Sequence, residues 1–373
     1  MKAVILVGGE GLRLRPLTCN IPKPMVPIVN KPFLEHLLAY LKQHHIDEAL
    51  LCLFYLPDQI KSHFGDGEAF GIKLKYAVED TPLGTAGAVK NVEQELDDTF
   101  LVFNGDIFTD MDLTALLAFH RENKASATIA LTSVENPTIY GVVECDQRGC
   151  VLGFVEKPSW DAITTNMINA GIYVLEPDVL ELVPAAAHYM FEYGLFPALL
   201  ERRLPVFGYR SSGYWMDIGT PGKYLDLHHH LLMGRAPVRF SGHVVAPSVW
   251  LGQGCRVDPS AKLSGPLVVG EGCAIESGAE VSGPTVLGPS CTIGQQCIIQ
   301  GSVLWHNVQL GRGATLKNSI VASDVVIGEG VWASDAVIGA GAVIGRGNRL
   351  EQGITIWPQK TIEPDASSSR AGY

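Results

Sequence analysis

The second half of this chain repeats every six residues. Val245, Leu251, Val257, Leu263, Val269, Ile275, Val281, Leu287, Ile293 and Ile299 put an apolar residue at each sixth position. The register slips to Leu304, Leu310 and Leu316, then to Ile320, Val326, Trp332, Ile338, Ile344, Leu350 and Ile356. Glycine often follows directly, as in Leu251-Gly252, Leu287-Gly288 and Ile344-Gly345. Such a period matches neither a helix nor a simple strand. It is the hexapeptide repeat of a parallel β-helix, whose recurring apolar side chains point into a shared prism. These positions, taken three per coil, give between six and seven coils.

Residues 1–232 follow another rhythm, and the change falls after Arg235-Ala236-Pro237. Strand-like runs at 2–7, 49–54, 72–78 and 100–103 alternate with helical patterns at 57–64 and 85–96. Pro32 opens a further helix, with Leu34, Leu37, Leu38 and Leu41 on one face. Alternation of this kind predicts a doubly wound α/β domain with a largely parallel sheet. Closer runs at 126–134, 141–145, 151–156 and 168–175 make the sheet mixed on one side. Three segments follow: 1–235, the α/β domain; 244–360, the β-helix; and 361–373, a tail whose Ser367-Ser368-Ser369-Arg370 reads as disordered.

The first strand breaks into Gly8-Gly9-Glu10-Gly11-Leu12-Arg13-Leu14-Arg15, with Pro22-Lys23-Pro24 close behind. The chain carries a net charge of −11, yet residues 1–34 hold Lys2, Arg13, Arg15, Lys23 and Lys31 against Glu10 alone. The acidic whole excludes non-specific attraction to nucleic acid or an anionic membrane. A local basic, glycine-rich loop after a buried strand suits a small polyphosphate: glycines aim backbone N–H groups at phosphate oxygens while cations offset their charge. This is neither a P-loop, which needs Gly-Lys-Ser/Thr, nor a dinucleotide fingerprint, because Leu14 stands where its third glycine belongs. No apolar run nears the roughly 18 residues of a membrane span. Eight cysteines without a Cys-x-x-Cys pair read as reduced thiols of a cytoplasmic protein.

Nucleotidyl transfer needs positioning, charge neutralisation and a divalent metal. Asp106 ends the run Phe100–Asp106 where a metal carboxylate belongs. Its Asn104-Gly105 also reads as a hairpin turn, although 107–112 leads toward a helical pattern rather than an antiparallel partner. Asp217 lies too early to cap the helix 222–232 opened by Thr220-Pro221, so it is either a second metal carboxylate or a loop hydrogen-bonding aspartate. Lys157, in Glu156-Lys157-Pro158, either holds a phosphate or ends a surface strand. Asn169-Ala170-Gly171 opens a strand where glycine could admit a ligand hydroxyl.

Taken in order, the arginine loop, Pro22-Lys23-Pro24, Pro82-Leu83-Gly84-Thr85-Ala86-Gly87, Asn104-Gly105-Asp106, Tyr140-Gly141-Val142-Val143, Phe154-Val155-Glu156-Lys157-Pro158, Asn169-Ala170-Gly171-Ile172-Tyr173 and Trp215-Met216-Asp217-Ile218-Gly219 resemble the sugar-1-phosphate nucleotidylyltransferases. The resemblance spans nearly the whole chain and is nearest to mannose-1-phosphate guanylyltransferases with a left-handed β-helix. It implies an NTP, GTP by preference, and a sugar 1-phosphate, mannose 1-phosphate by preference, joined to GDP-mannose with release of pyrophosphate. Leu6, Gly8, Gly9, Gly11, Arg13, Glu79, Gly84 and Thr85 would hold the nucleotide. Arg13 and Lys23 would stabilise the reacting phosphates, and Asp106 and Asp217 would hold Mg²⁺. Gly141, Glu156, Lys157 and Asn169 would hold the sugar 1-phosphate, with Lys157 on its phosphate. The carboxylate of Glu79, where the family reads the base edge, suits the ring N–H of guanine, uracil or thymine and disfavours adenine.

The family loop usually has threonine where this chain has Leu12; a backbone contact survives that change and a hydroxyl contact does not, so activity is expected to persist. Glucose 1-phosphate with UTP or dTTP is an alternative pair. Two other readings are a non-catalytic nucleotide-sugar-binding regulatory paralogue and an acetyltransferase β-helix using His306. The β-helix is expected to serve homo-oligomerisation or regulation. His228-His229-His230 lie on one helix where adjacent positions do not share a face, so they are not read as a metal site.

Overall fold

Residues 1–366 are described by the computed structural model, and the expected disorder of 367–370 lies outside the described residues. The chain forms two compact units: Met1–Glu10 with Leu34–Asp217, and Gly11–Phe33 with Ile218 onward. Among the described residues no helix is long and apolar enough to cross a membrane.

In chain order the first elements are β1 (Lys2–Leu6), a small hairpin of β2 (Pro27–Ile28) and β3 (Lys31–Pro32), and α1 (Phe33–Gln43). Next come β4 (Glu48–Leu53), α2 (Pro57–Phe64), β5 (Lys73–Val78), α3 (Gly84–Lys90) and β6 (Phe100–Asn104). β1 is the central strand of the first unit, parallel to β4 on one side and β6 on the other, with β5 beyond β4. Ala3, Val4 and Ile5 are fully buried, as expected for a strand covered on both faces. The leucine stripe of α1 is buried throughout.

β7 (Ile107–Thr109), α4 (Leu113–Glu122), β8 (Ala127–Ser133), β9 (Gly141–Cys145), β10 (Val151–Glu156) and β11 (Met167–Leu175) follow. The long β11 runs antiparallel to β6, β8 and β9, so the nine-stranded sheet is mixed on the expected side. The stretch 107–112 corrects one expectation. It does lead into a helix, α4, capped by the Asp112 carboxylate, which accepts the Ala115 N–H at 3.0 Å. Before that, however, Ile107–Thr109 finds an antiparallel partner far along the chain. After α5 (Phe196–Glu201) and β12 (Val206–Arg210), β13 (Trp215–Asp217) pairs with β7.

The second unit holds α6 (Pro221–Leu232), capped by Thr220 as expected, and β14 (His243–Ala246). A parallel β-helix with three sheets follows. One inward row runs Leu251, Val269, Leu287, Leu304, Val321, Ile338 and Ile356; the second starts at Val257 and Ile275, the third at Leu263 and Val281. Coils close after 18 residues in some turns and 17 in others, and each shortened corner moves the register by one.

That shift corrects three expected positions, and a fourth fails for another reason. A short corner after Leu316 turns Val321, Ile327 and Ala333 inward, all at 1% exposure or less, in place of Ile320, Val326 and Trp332. Val326 is 38% exposed, and Trp332 instead carries the Arg349 guanidinium over its ring. Val245 is exposed because β14 is antiparallel to the first coil strand rather than part of a coil. At the other end, Thr361–Ile362 pairs with Val343–Ile344, so the coils run past the expected end at 360.

The outward side chains Val268, Val286, Val303 and Ile320 are buried as well, and α6 packs on this sheet at Thr285–Leu287. That contact explains why α6 groups with the β-helix rather than with the strands preceding it.

Candidate active site

The carboxyl ends of parallel strands form the expected place for a nucleotide. Leu6 ends β1 opposite Cys52 and Asn104. The loops that follow are stitched together: Gly105 N–H donates to the Leu6 carbonyl at 2.9 Å, and Val7 N–H to that of Cys52 at 3.0 Å. A Cβ on Gly105 would lie 2.3 Å from Val7 Cγ1, so only glycine fits between these loops. A Cβ on Gly8 would meet Phe54 at 3.3 Å, whereas Gly9 opens on free space.

Half-buried Asp106 stands at the turn from β6 into β7. The β7–β13 ladder sets Asp217 directly opposite Ile107, Asp106's neighbour in the chain. The ladder thereby joins the chain neighbour of Asp106 to a residue more than a hundred positions further on. Asp217 is 7% exposed and accepts a hydrogen bond from Tyr140 Oη at 2.7 Å. The Tyr140 ring meets Trp215 edge-on, and Trp215 Nε1 donates to the Ala170 carbonyl at 2.9 Å. Asp217 therefore lies at the end of a strand rather than in a loop, and it is a hydrogen-bond acceptor there.

Two carboxylates fit Mg²⁺, a hard cation that takes one or two protein carboxylates and completes its shell with water and substrate phosphate. Among the described residues no cluster of three or more His, Cys, Asp or Glu forms a metal cage.

Glu79 follows β5 and accepts the Leu83 N–H at 2.9 Å; burial raises its pKa and that hydrogen bond opposes the rise. Gly84 has φ 74°, and a Cβ there would lie 2.7 Å from the Tyr189 carbonyl. Thr85 Oγ1 accepts the Phe191 N–H at 2.8 Å and donates to Glu192 Oε2 at 3.2 Å. Its hydroxyl therefore orders the π-helical turn Phe191–Leu195. Glu192 is a residue the sequence reading missed. Burial raises its pKa, the nearby Glu156 charge adds to the rise, and Thr85 and Lys157 oppose it. A lone glutamate between Phe191 and Tyr193 gives no periodic or motif signal.

Gly141 opens β9 opposite Glu156, which ends β10. A Cβ on Gly141 would sit 2.7 Å from Glu156 Oε2. Lys157 holds φ 48°, donates its N–H to the Tyr140 carbonyl, and keeps Nζ 3.5 Å from Glu156 Oε1 with a largely exposed side chain. Asn169 accepts the Gly171 N–H at 2.9 Å and donates to Tyr173 Oη at 2.8 Å, across the bulge in β11. Gly171, at φ 70°, leaves room for Ile107 and Asn104 where a Cβ would clash. Asn104 Oδ1 is buried without a hydrogen-bond partner. Tyr140, next to Gly141, thus reaches Asp217, and Gly171, two residues from Asn169, packs on Ile107 and Asn104.

Gly11, Arg13 and Lys23 belong to the second unit. Gly11 has φ 64° and its carbonyl accepts from Thr18 Oγ1 at 2.8 Å. Arg13 is exposed in the short turn Leu12–Leu14, where Leu14 is buried and Leu12 is 58% exposed. Lys23 opens the turn Lys23–Met25 and is half-buried. In the β-helix, His306 Nδ1 meets Ser323 Oγ at 2.7 Å and Nε2 lies 3.6 Å from Asp324, both on the next coil. The three adjacent histidines of α6 take separate partners: His228 the Val29 N–H, His229 the Gly301 carbonyl, His230 the Arg235 guanidinium.

Residues 2–234 match the family described as Nucleotidyl transferase, and residues 246–356 match the EIF2B subunit epsilon LbH domain, a left-handed β-helix. The chain is 38% identical over 285 residues to a mannose-1-phosphate guanylyltransferase of Mycobacterium tuberculosis, covering 71% of this chain and 79% of that protein. It is 36% identical over 330 residues to a UTP–glucose-1-phosphate uridylyltransferase of Synechocystis, covering 84% and 85%. A solved structure titled as a putative glucose-1-phosphate thymidylyltransferase from Bacillus anthracis superposes with a TM-score of 0.57 at 26% identity, covering 65% of this chain and 97% of that one. The motifs, the sheet that carries them and these likenesses agree: the chain belongs to the nucleotidyl transferase family.

Proposed function

We propose that this protein transfers a nucleotidyl group from an NTP, GTP by preference, to a sugar 1-phosphate, mannose 1-phosphate by preference. The observation that supports the reading is the β7–β13 ladder, which pairs Asp217 with Ile107, the chain neighbour of Asp106. Asp106 and Asp217 would hold Mg²⁺, which would supply charge neutralisation at the reacting phosphates. An oxygen of the sugar phosphate attacks the α-phosphorus in line. The bond from that phosphorus to the α–β bridging oxygen breaks, and pyrophosphate leaves with the electron pair. The nucleophile is already an anion, so no general base is required.

Leu6, Gly8, Gly9, Gly11, Glu79, Gly84 and Thr85 hold the nucleotide. Arg13 and Lys23 offset the charge that builds on the α-phosphate and the leaving group. Lys157 takes the sugar phosphate, while Gly141, Glu156 and Asn169 take the sugar. The eight free cysteines suit a reducing, cytoplasmic setting, and the β-helix serves to join copies of the chain.

A second pair, UTP with glucose 1-phosphate, is favoured by the likeness to the Synechocystis uridylyltransferase. Pyrophosphate release from GTP, UTP, dTTP, ATP and CTP, each with mannose 1-phosphate and glucose 1-phosphate, decides between the pairs. Release confined to GTP and mannose 1-phosphate is expected. No release from any pair, with tight GDP-mannose binding, would point to a regulatory paralogue. Acetyl-CoA turnover lost in His306→Ala would establish the acetyltransferase.

A further inference from the structure

The β2–β3 hairpin begins four residues after Lys23, and its turn is held in a costly conformation. Val29 and Asn30 have φ of 47° and 68°, a left-handed geometry that a β-branched residue adopts only when its surroundings enforce it. Those surroundings are α6 and the β-helix, all in the second unit.

Val29 N–H donates to His228 Nε2 at 3.1 Å, and His228 Nδ1 donates to the Tyr224 carbonyl at 2.9 Å. A backbone N–H only donates and a carbonyl only accepts, so these partners assign the imidazole as neutral and protonated at Nδ1. Trp305 Nε1, on the β-helix, donates to Tyr224 Oη at 2.9 Å, and Tyr224 Oη donates to the Pro27 carbonyl at 2.6 Å. Asn30 Nδ2 donates to the Leu287 carbonyl, also on the β-helix, at 2.9 Å. Tyr224 and His228 are fully buried and Trp305 nearly so, so no water replaces a lost link. The hairpin base is tied back to the lysine: Val26 N–H donates to the Lys23 carbonyl at 3.1 Å, and Phe33 N–H to the Val26 carbonyl at 3.0 Å.

We infer that Trp305, Tyr224 and His228 are positioning residues for nucleotidyl transfer: through Pro27 and Val29 they hold the segment that carries Lys23, making the β-helix a scaffold for that cation. This rests on the function proposed above. If the network merely held the fold together, its loss would lower stability and leave the kinetics of folded enzyme unchanged.

The test uses Tyr224→Phe and Trp305→Phe in the full chain, with and without Lys23→Ala. Expected is a fall of about tenfold in kcat, with KM for the sugar phosphate unchanged and no further effect once Lys23 is alanine. A wild-type kcat in folded variants, or an undiminished effect on top of Lys23→Ala, would overturn the inference. Asn30→Ala, at a half-buried position, replaces any variant that fails to fold and carries the same expectation. Hydrogen exchange of 23–33 in Trp305→Phe supplies a readout without turnover. Faster exchange there, with 100–110 unchanged, is expected, and equal exchange would overturn the scaffold. A wild type that releases no pyrophosphate but shows this exchange response would remove the proposed function alone.

Discussion

In the β-helix each side chain answers to its own coil and the coils above and below; in the α/β unit the decisive neighbours are far apart in sequence. Leu287 meets Val269 and Leu304, one coil away on either side. Asp217 meets Ile107 across half of the unit. Damage in a stack of near-independent coils should remain local, whereas damage at the carboxylate pair should abolish function without unfolding anything.

The largest expected effect follows from that contrast. Asp106→Ala is expected to lower kcat by about a thousandfold or more with an unchanged melting temperature, checked by pyrophosphate release and thermal denaturation. Ile293→Ala, a fully buried coil position, is expected to do the reverse. It should cost about 2–5 kcal/mol in denaturant unfolding and leave kcat of the folded protein near wild type. A kcat that falls as far as in Asp106→Ala would erase the distinction between the units.

Glu192→Gln should stabilise the fold at neutral pH. The folded-state pKa of Glu192 is raised, chiefly by burial. A raised carboxyl favours folding fully below its unfolded pKa, and the advantage is lost as pH rises through the folded value. At pH 7 the wild-type charge is therefore a burden, and the glutamine variant should melt about 2 °C higher. The gain should vanish below pH 4.5, the ordinary glutamate value, in a melting series across pH. The smallest effect is expected at Leu12, whose side chain is largely exposed. Leu12→Thr should change kcat/KM less than about threefold, since one solvent-exposed hydrogen bond contributes little net energy.

The two regions also differed in how much their sequence revealed. Apolar residues six apart announced the coils, but not the short corner after Leu316. A one-residue shift there exchanges Trp332 for Ala333 inside the prism, and both sequences look equally periodic. In the α/β unit, buried runs gave β1, β4 and β6 because burial on both faces leaves a continuous apolar signature. β7 and β13 were not legible. Each is three residues long, and their pairing depends on the whole fold between them. Asp106 was readable from its strand. The strand position of Asp217 became visible only with β13, and Glu192 left no trace because its partner Thr85 lies on another element. The bonds of Asn30 and Val29 to Leu287 and His228 were not legible either, because their partners lie about two hundred residues or more along the chain.

The measurement that bears most directly on the account is Mg²⁺ dependence of pyrophosphate release in Asp106→Asn, Asp217→Asn and the double variant. If the two carboxylates act as one metal site, each single variant should lose most of the activity, and the double should be little worse than either. Wild-type Mg²⁺ dependence in Asp217→Asn, or losses that simply multiply in the double variant, would contradict a shared site and with it the central role of the β7–β13 pairing.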